Sequence, residues 1–140
     1  MSRLKRVVLL GVMPALLAAG CGGGRLEAKA ISQQSKSLQS DAAEGALLAD
    51  DAVSGKTTHI YIREHAADLY KAASKVEASL KAAKTAPALE PKLRRLTALA
   101  SQVSAALKRL GGAARDGQRV LGAELRAAAR KSKTIGEELA

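Results

Sequence analysis

The sequence predicts an all-α fold, an up-down antiparallel helical bundle of three long helices plus a shorter or weaker N-terminal helix. In three successive segments from Ile62 onward, apolar residues recur at alternating spacings of four and three, with an interruption near Gly117 and Gln118 in the third segment. This is the pattern of helices that pack side by side. No segment shows the alternation of period two that a half-buried strand needs. The links between the segments are only a few residues long, so consecutive helices should be antiparallel neighbours.

Two interpretations are open for the first helix. Asp41 followed by Glu44 resembles a capping box, which would start the helix at this point. Alternatively, a single helix begins at about Leu26, with Ile31 and Leu38 on its apolar face. The polar run SQQSKSLQS, which precedes the capping box, is compatible with a helical stalk or with a flexible spacer.

The three later helices have recognisable ends. Thr58 is a candidate N-cap for the second helix, and Pro87 and Pro91 suit the opening of the third. Gly111 and Gly112 separate the third helix from the fourth. The apolar stripe of the second helix consists of Ile62, Ala66, Leu69, Ala73, Val76, Leu80 and Ala83. The stripe of the third consists of Leu89, Leu93, Leu96, Ala100, Val103, Leu107 and Leu110. The stripe of the fourth consists of Ala114, Leu121, Leu125, Ala128, Ser132, Ile135 and Leu139.

The first residues have the order of a secretory signal. Three basic residues precede an uncharged run from Val7 to Ala19, and small residues follow. As a helix, this run would reach about 20 Å, which is shorter than the roughly 30 Å hydrocarbon core of a bilayer. Residues 1–20 are therefore predicted to be a cleaved signal peptide rather than a spanning helix.

The sequence LAAGC at residues 17–21 contains the only cysteine of the chain. It resembles the lipobox of a bacterial lipoprotein precursor, in which an aliphatic residue and two small residues precede the cysteine; Leu17 stands one position further out than is usual. The resemblance implies that Cys21 becomes the first mature residue and carries a diacylglycerol, usually with an acyl chain on its amino group. It also implies an exported protein that is anchored to the cell membrane or the outer membrane. The alternative is an incidental buried thiol, but three glycines follow Cys21, whereas free cysteines usually lie in packed cores.

The chain is accordingly expected to have three parts. Residues 1–20 are the signal peptide, residues 21–40 are the lipidated cysteine with a tether or stalk, and residues 41–140 are the helical bundle domain. The mature part is large enough for one modest core.

The composition argues against an enzyme. The chain contains no Phe or Trp, and its only aromatic residues are Tyr61 and Tyr70, whereas enzyme pockets usually have aromatic linings. It lacks a Gly-x-Ser-x-Gly elbow, and the segment SGKTT lacks the upstream glycine of a phosphate-binding loop. We therefore predict no catalytic activity.

Basic residues recur along one side of the predicted last helix. They are Arg115, Arg119, Arg126, Arg130 and Lys133. An anionic envelope component, such as lipid head groups or a wall polymer, would be the partner of such a face. A solvated face that keeps the bundle soluble is the alternative. Nucleic acid is not an expected partner, because an exported protein does not meet it and aromatic stacking platforms are missing.

The segment THIYIREHAADLY contains candidate metal ligands. It contains His59, Glu64, His65 and Asp68, of which the last two could share a helix face. Metal sites in four-helix bundles use Glu-x-x-His pairs, and this chain has none. We therefore predict no metal and no cofactor.

These observations predict a lipid-anchored cell-envelope lipoprotein with a non-enzymatic structural or interaction role. The alternative is a helical bundle lipoprotein that carries a ligand or a metal in its interior. An apolar stripe can also be covered by a second chain, so self-association is compatible with the pattern.

Overall fold

The computed structural model describes residues 25–140, which fold into a bundle of long helices. The elements are, in order, β1 (Arg25–Leu26), α1 (Ala28–Val53), α2 (His59–Ala82), β2 (Lys84–Thr85), α3 (Glu90–Leu110) and α4 (Arg115–Glu137). Helix α1 packs most extensively against α4, and α2 packs against α3; contacts of α1 with α2 and of α3 with α4 close the bundle. The predicted all-α helical bundle is confirmed.

The first helix is longer than expected. Helix α1 has 26 residues and is the longest of the helices described, so it is neither short nor weak. Ile31, Ser35 and Leu38 are fully buried, which places residues 28–40 within the bundle. Residues 28–40 therefore belong to the bundle, whereas residues 21–40 were expected to hold a tether or stalk before a bundle that begins at residue 41. Asp41 lies in the middle of α1 and caps nothing, so the capping-box interpretation was wrong.

The predicted helix ends mostly match the structure. The Thr58 side chain accepts a hydrogen bond of 3.2 Å from the Tyr61 backbone N–H, which makes Thr58 the N-cap of α2. Pro91 lies in the first turn of α3, where its missing N–H leaves no hydrogen bond unmade. Gly111 and Gly112 lie in the link between α3 and α4, as expected.

Most positions of the three predicted stripes lie in the core. Ala83, Leu89 and Leu139 are only partly buried and Ala114 is exposed, because all four lie at the ends of their helices. Leu99 and Ala106 are buried although the stripe of α3 did not include them. The core is made of Leu, Ile, Val and Ala, and its fully buried large side chains are Ile31, Leu38, Leu80, Leu96, Leu107, Leu110, Leu125 and Val103.

Small residues allow α1 and α4 to approach closely. A Cβ atom added to Gly122 would lie 3.0 Å from the Cβ of Ala49. Further along the same seam, the buried Ser35 hydroxyl donates to the Ser132 carbonyl, and the Ser132 hydroxyl donates to the Ser35 carbonyl at 2.7 Å. These reciprocal bonds explain how Ser35 and Ser132 can be buried, because each hydroxyl keeps a hydrogen-bond partner.

A short parallel ladder, which the sequence did not predict, holds the chain at one end of the bundle. Arg25 pairs with Lys84 and Leu26 with Thr85. The Thr85 hydroxyl also donates to the Leu26 carbonyl at 2.7 Å. Two-residue strands are too short to show a periodicity, which is why they escaped the sequence pattern. We call this end of the bundle the strand end, and the opposite end, with residues 54–58 and 111–114, the loop end.

Candidate functional site

The basic face predicted on α4 exists as an exposed row along the helix. Its members are Arg115, Arg119, Arg126, Arg130 and Lys133. Arg126 forms a bidentate pair with Asp50 on α1, with distances of 2.6 and 3.3 Å. These hydrogen bonds raise the pKa of Arg126 above its ordinary value. Arg126 therefore ties α4 to α1, which reduces its availability to an external anion.

The other members of the face divide into paired and unpaired residues. Arg119 and Lys133 each contact a carboxylate of α4 itself, at 3.4 and 3.7 Å. Within residues 25–140, Arg115 and Arg130 have no carboxylate oxygen within 4 Å. These two residues are the uncompensated charges of the predicted face.

The basic residues of α3 are used largely within the molecule. Lys92 donates to the Glu138 carbonyl at 2.7 Å, and Arg95 contacts the Glu138 carboxylate at 3.1 Å. Near the other end of the seam, Arg109 contacts Glu124 at 3.1 Å. The α3–α4 seam is therefore fastened by polar contacts near both ends.

A groove of two adjoining cavities lies along this seam. Each cavity has a volume of about 440 Å³, and both are lined by Gln102 and Lys131. Alanine side chains form much of the floor, and the Arg109–Glu124 pair lies at the rim of one cavity. The groove thus contains its own counterion, which lowers its attraction for an external anion.

The predicted cluster of histidines and acids is not brought together as a metal site. The His65 Nε2 atom lies 2.7 Å from the Glu44 Oε1 atom of α1, and the His65 ring stacks on Tyr61 with ring centroids 5.3 Å apart. Asp68 contacts Lys71 at 3.2 Å instead. In the part of the chain that the structure describes, no group of three or more His, Cys, Asp and Glu residues is placed to hold a metal ion.

Asp41 is the carboxyl group with the most altered titration. Partial burial of the Asp41 carboxyl group raises its pKa from 3.8 to about 6, and repulsion from the Glu44 carboxylate contributes to the same shift. The Glu44 carboxylate in turn contacts His65, so the group lies near the polar contact between α1 and α2. We treat the Asp41 carboxyl group as a determinant of stability.

A second cleft lies at the loop end, between the first half of α2 and the end of α3. It has a volume of about 440 Å³, and its lining residues are His59, Arg63, Ala66, Ala67, Tyr70, Leu107, Lys108, Gly111 and Gly112. The Lys108 ammonium lies 6.0 Å from the centroid of the Tyr70 ring. Sequence reasoning missed this cleft, because a helix pattern does not show which residues of two different helices face each other.

The predicted lipidation site lies outside the described residues. Cys21 and the predicted signal peptide precede Arg25, where the structural description begins. Among residues 25–140, no helix combines the length and the apolar character that crossing a bilayer requires. Comparison of the chain with protein-family models, curated proteins and solved structures gave no match.

Proposed function

We propose that this chain is a lipid-anchored cell-envelope lipoprotein whose helical bundle has a non-enzymatic structural or interaction role. The lipobox-like residues that end at Cys21 suggest the anchor. The observation that carries the proposal furthest is the position of β1, which joins the chain to the bundle directly after the anchor segment.

The short connection limits how far the bundle can stand from the membrane. Arg25 follows Cys21 by four residues, and an extended chain covers at most about 3.6 Å per residue. The Cα atom of Arg25 would therefore lie within about 14 Å of a lipidated Cys21. The strand end of the bundle would lie beside the lipid head groups, and the loop end would point away from them.

The charges at the strand end suit such a surface. Arg25 lies opposite Lys84 in the ladder, both side chains are exposed, and neither has a carboxylate within 4 Å in the described chain. Like charges at opposite strand positions repel each other, and lipid phosphates would offset this repulsion. Arg25, Lys84 and Glu90 line one cavity of about 310 Å³ at the strand end, and their formal charges add up to +1.

The basic face of α4 has a smaller part in this arrangement. Arg115 and Arg130 are its unpaired members, and they stand 15 residues apart, or about 22 Å along the helix. A bundle that stands on its strand end would bring at most one of them to the anchoring membrane. Contact with a wall polymer would suit Arg115, which lies at the loop end.

The first experiment tests the anchor. The intact mass of the membrane-extracted protein is measured beside that of a Cys21→Ser variant, and both are partitioned between detergent and water. We expect a mass of residues 21–140 plus acyl chains, and the loss of both the acyl mass and the detergent partitioning in the variant. A full-length or unmodified mass would reject the lipoprotein proposal.

A second experiment tests the orientation. Residues 21–140 carrying Cys21→Ser are titrated with anionic vesicles. We expect Arg25→Gln with Lys84→Gln to weaken binding about 30-fold, from about 1 kcal/mol for each basic residue at an anionic surface. The matched control, Arg115→Gln with Arg130→Gln, should change binding much less. The opposite ranking would mean that the α4 face lies on the membrane.

A further inference from the structure

The cleft between α2 and α3 has a basic residue on each of its two helices. Arg63 of α2 and Lys108 of α3 line the cleft from its two sides, and His59, the first residue of α2, also lines it. None of the residues that line the cleft is acidic. The loop end of the bundle therefore contains a concave surface with a positive charge.

The two cations lack internal counterions. In the described chain, neither Arg63 nor Lys108 has a carboxylate oxygen within 4 Å. Arg109, which follows Lys108 directly, does contact one, at Glu124. Charges of one sign in a cleft with low-dielectric walls raise the local concentration of counter-ions. An anion in this cleft would not have to displace a carboxylate of the protein.

The walls are held at a defined separation. A Cβ atom added to Gly111 would lie 3.3 Å from the Cα atom of Arg63, so the end of α3 lies directly against the backbone of α2. On the same wall as Arg63, the half-buried Tyr70 ring attracts the Lys108 ammonium through its π face. Arg63 and Lys108 are thus brought to one cavity from two helices.

We infer that this cleft binds the phosphate monoester group of a small molecule. A phosphate monoester carries a charge of about −1.5 to −2 at pH 7, which matches the two positive charges of Arg63 and Lys108. The guanidinium offers a planar fork of donors, and the ammonium adds a point charge, which together suit several oxygens of one phosphate. The N-terminal end of α2, beside His59, adds the positive end of a helix dipole.

The cleft also has room for the rest of such a molecule. Its volume of about 440 Å³ falls within the range of ligand pockets, about 300–1,000 Å³. Ala66, Ala67 and Leu107 supply an apolar floor on which a short carbon skeleton can lie. The inference does not depend on the lipid anchor, since every residue that it uses lies in α2, α3 or the link after α3.

The test is calorimetric titration of the full chain, purified in detergent, with glycerol 3-phosphate and with acetate. The double variant Arg63→Gln with Lys108→Gln removes one charge from each wall. Loss of two charge-assisted contacts should weaken glycerol 3-phosphate binding about tenfold or more. The matched control, Lys75→Gln with Arg94→Gln, removes one exposed charge from each of the same two helices, away from the cleft, and should change binding by about twofold at most.

Three outcomes would overturn the inference. They are the absence of saturable binding to the wild-type chain, an equal loss in both double variants, and equally tight binding of acetate. Circular dichroism checks that the variants fold. If a double variant does not fold, its two single substitutions are titrated in its place. The ring resonances of Tyr70 provide a second readout, because a ligand beside Lys108 should shift them in the wild-type chain. A Cys21→Ser chain should bind unchanged, which separates this result from the test of the anchor.

Discussion

Replacing Gly45 with alanine should destabilise the bundle, although alanine is the better helix former. Gly45 lies in the interior of α1, and its φ angle is an ordinary negative one. A Cβ atom at this position would lie 2.5 Å from Leu107 Cδ2 and 3.1 Å from Leu125 Cδ1. Glycine is therefore required here for space, because side chains from α3 and α4 converge on the backbone of α1.

The magnitude follows from two opposing effects. Alanine gains about 1 kcal/mol over glycine in a helix interior. Carbon atoms pack without strain at about 3.5–4.0 Å, so the leucine contacts are too short by about 0.5–1.5 Å. Leu107 and Leu125 are both fully buried, which leaves them little room to rotate away, and such overpacking costs about 1–3 kcal/mol. Because two helices must yield, we expect a net loss of about 1–2 kcal/mol.

The assay is thermal unfolding followed by circular dichroism, with Gly117→Ala as the matched control. At this chain size, 1 kcal/mol corresponds to roughly 3–5 °C, so Tm should fall by about 3–10 °C in Gly45→Ala. A Cβ atom at Gly117 would contact only the Cβ of Ala113, at 3.4 Å, which is an ordinary distance. The control therefore gains helix propensity without crowding, and its Tm should rise.

A Gly45→Ala variant that is as stable as the Gly117→Ala variant would refute this reasoning. It would mean that α1 is not held against Leu107 and Leu125 as closely as the structure has it. A lower Tm in both variants would instead point to a general intolerance of substitution in the bundle, unrelated to the short contacts.

Further stability predictions concern polar groups. Ser35→Ala and Ser132→Ala should each lower the free energy of unfolding, measured in urea, by about 1 kcal/mol. The double variant should lose about the sum, because each hydroxyl donates to a backbone carbonyl that the other substitution leaves in place. In the folded chain, Asp41 keeps its proton up to about pH 6, whereas in the unfolded chain it loses the proton from about pH 4. The free energy of unfolding should therefore be highest at low pH and should fall as the pH rises from about 4 to 6. Asp41→Asn should therefore raise the free energy of unfolding at pH 7 by about 1 kcal/mol, after allowance for solvent screening of a half-exposed group. In this variant, the urea concentration at the unfolding midpoint should change less between pH 4 and 6 than it does in the wild-type chain. Thr58→Ala removes the cap of α2 and should lower Tm by an amount equivalent to about 1 kcal/mol.

The helices from Thr58 onward were predictable because their signals are local. The spacing of four and three places Ile62, Leu69 and Leu80 on one face whatever the rest of the chain does. The start of α1 was not, because the buried serines of its first half look polar in sequence. Only the reciprocal bonds with α4 make the burial of Ser35 inexpensive.

The candidate sites depended more strongly on the tertiary structure. The row of cations on α4 was visible as a helical repeat, but its charge balance was not, since the Asp50 partner of Arg126 lies 76 residues away. Arg63 and Lys108 line the same cleft from two helices, and no periodic pattern in the sequence shows which residues of two helices face each other.

By itself, the sequence determined the fold class and the ends and inward faces of the last three helices, whereas the lipid anchor at Cys21 stays a prediction. These properties come from spacings of a few residues along one chain segment, where helix geometry decides which side chains share a face. The tertiary structure decided which charges are neutralised, where α1 begins, and where two unpaired cations line one cavity. Such features depend on which helices become neighbours and how closely they approach, and at Gly45, Gly111 and Gly122 that distance is set by the absence of a side chain.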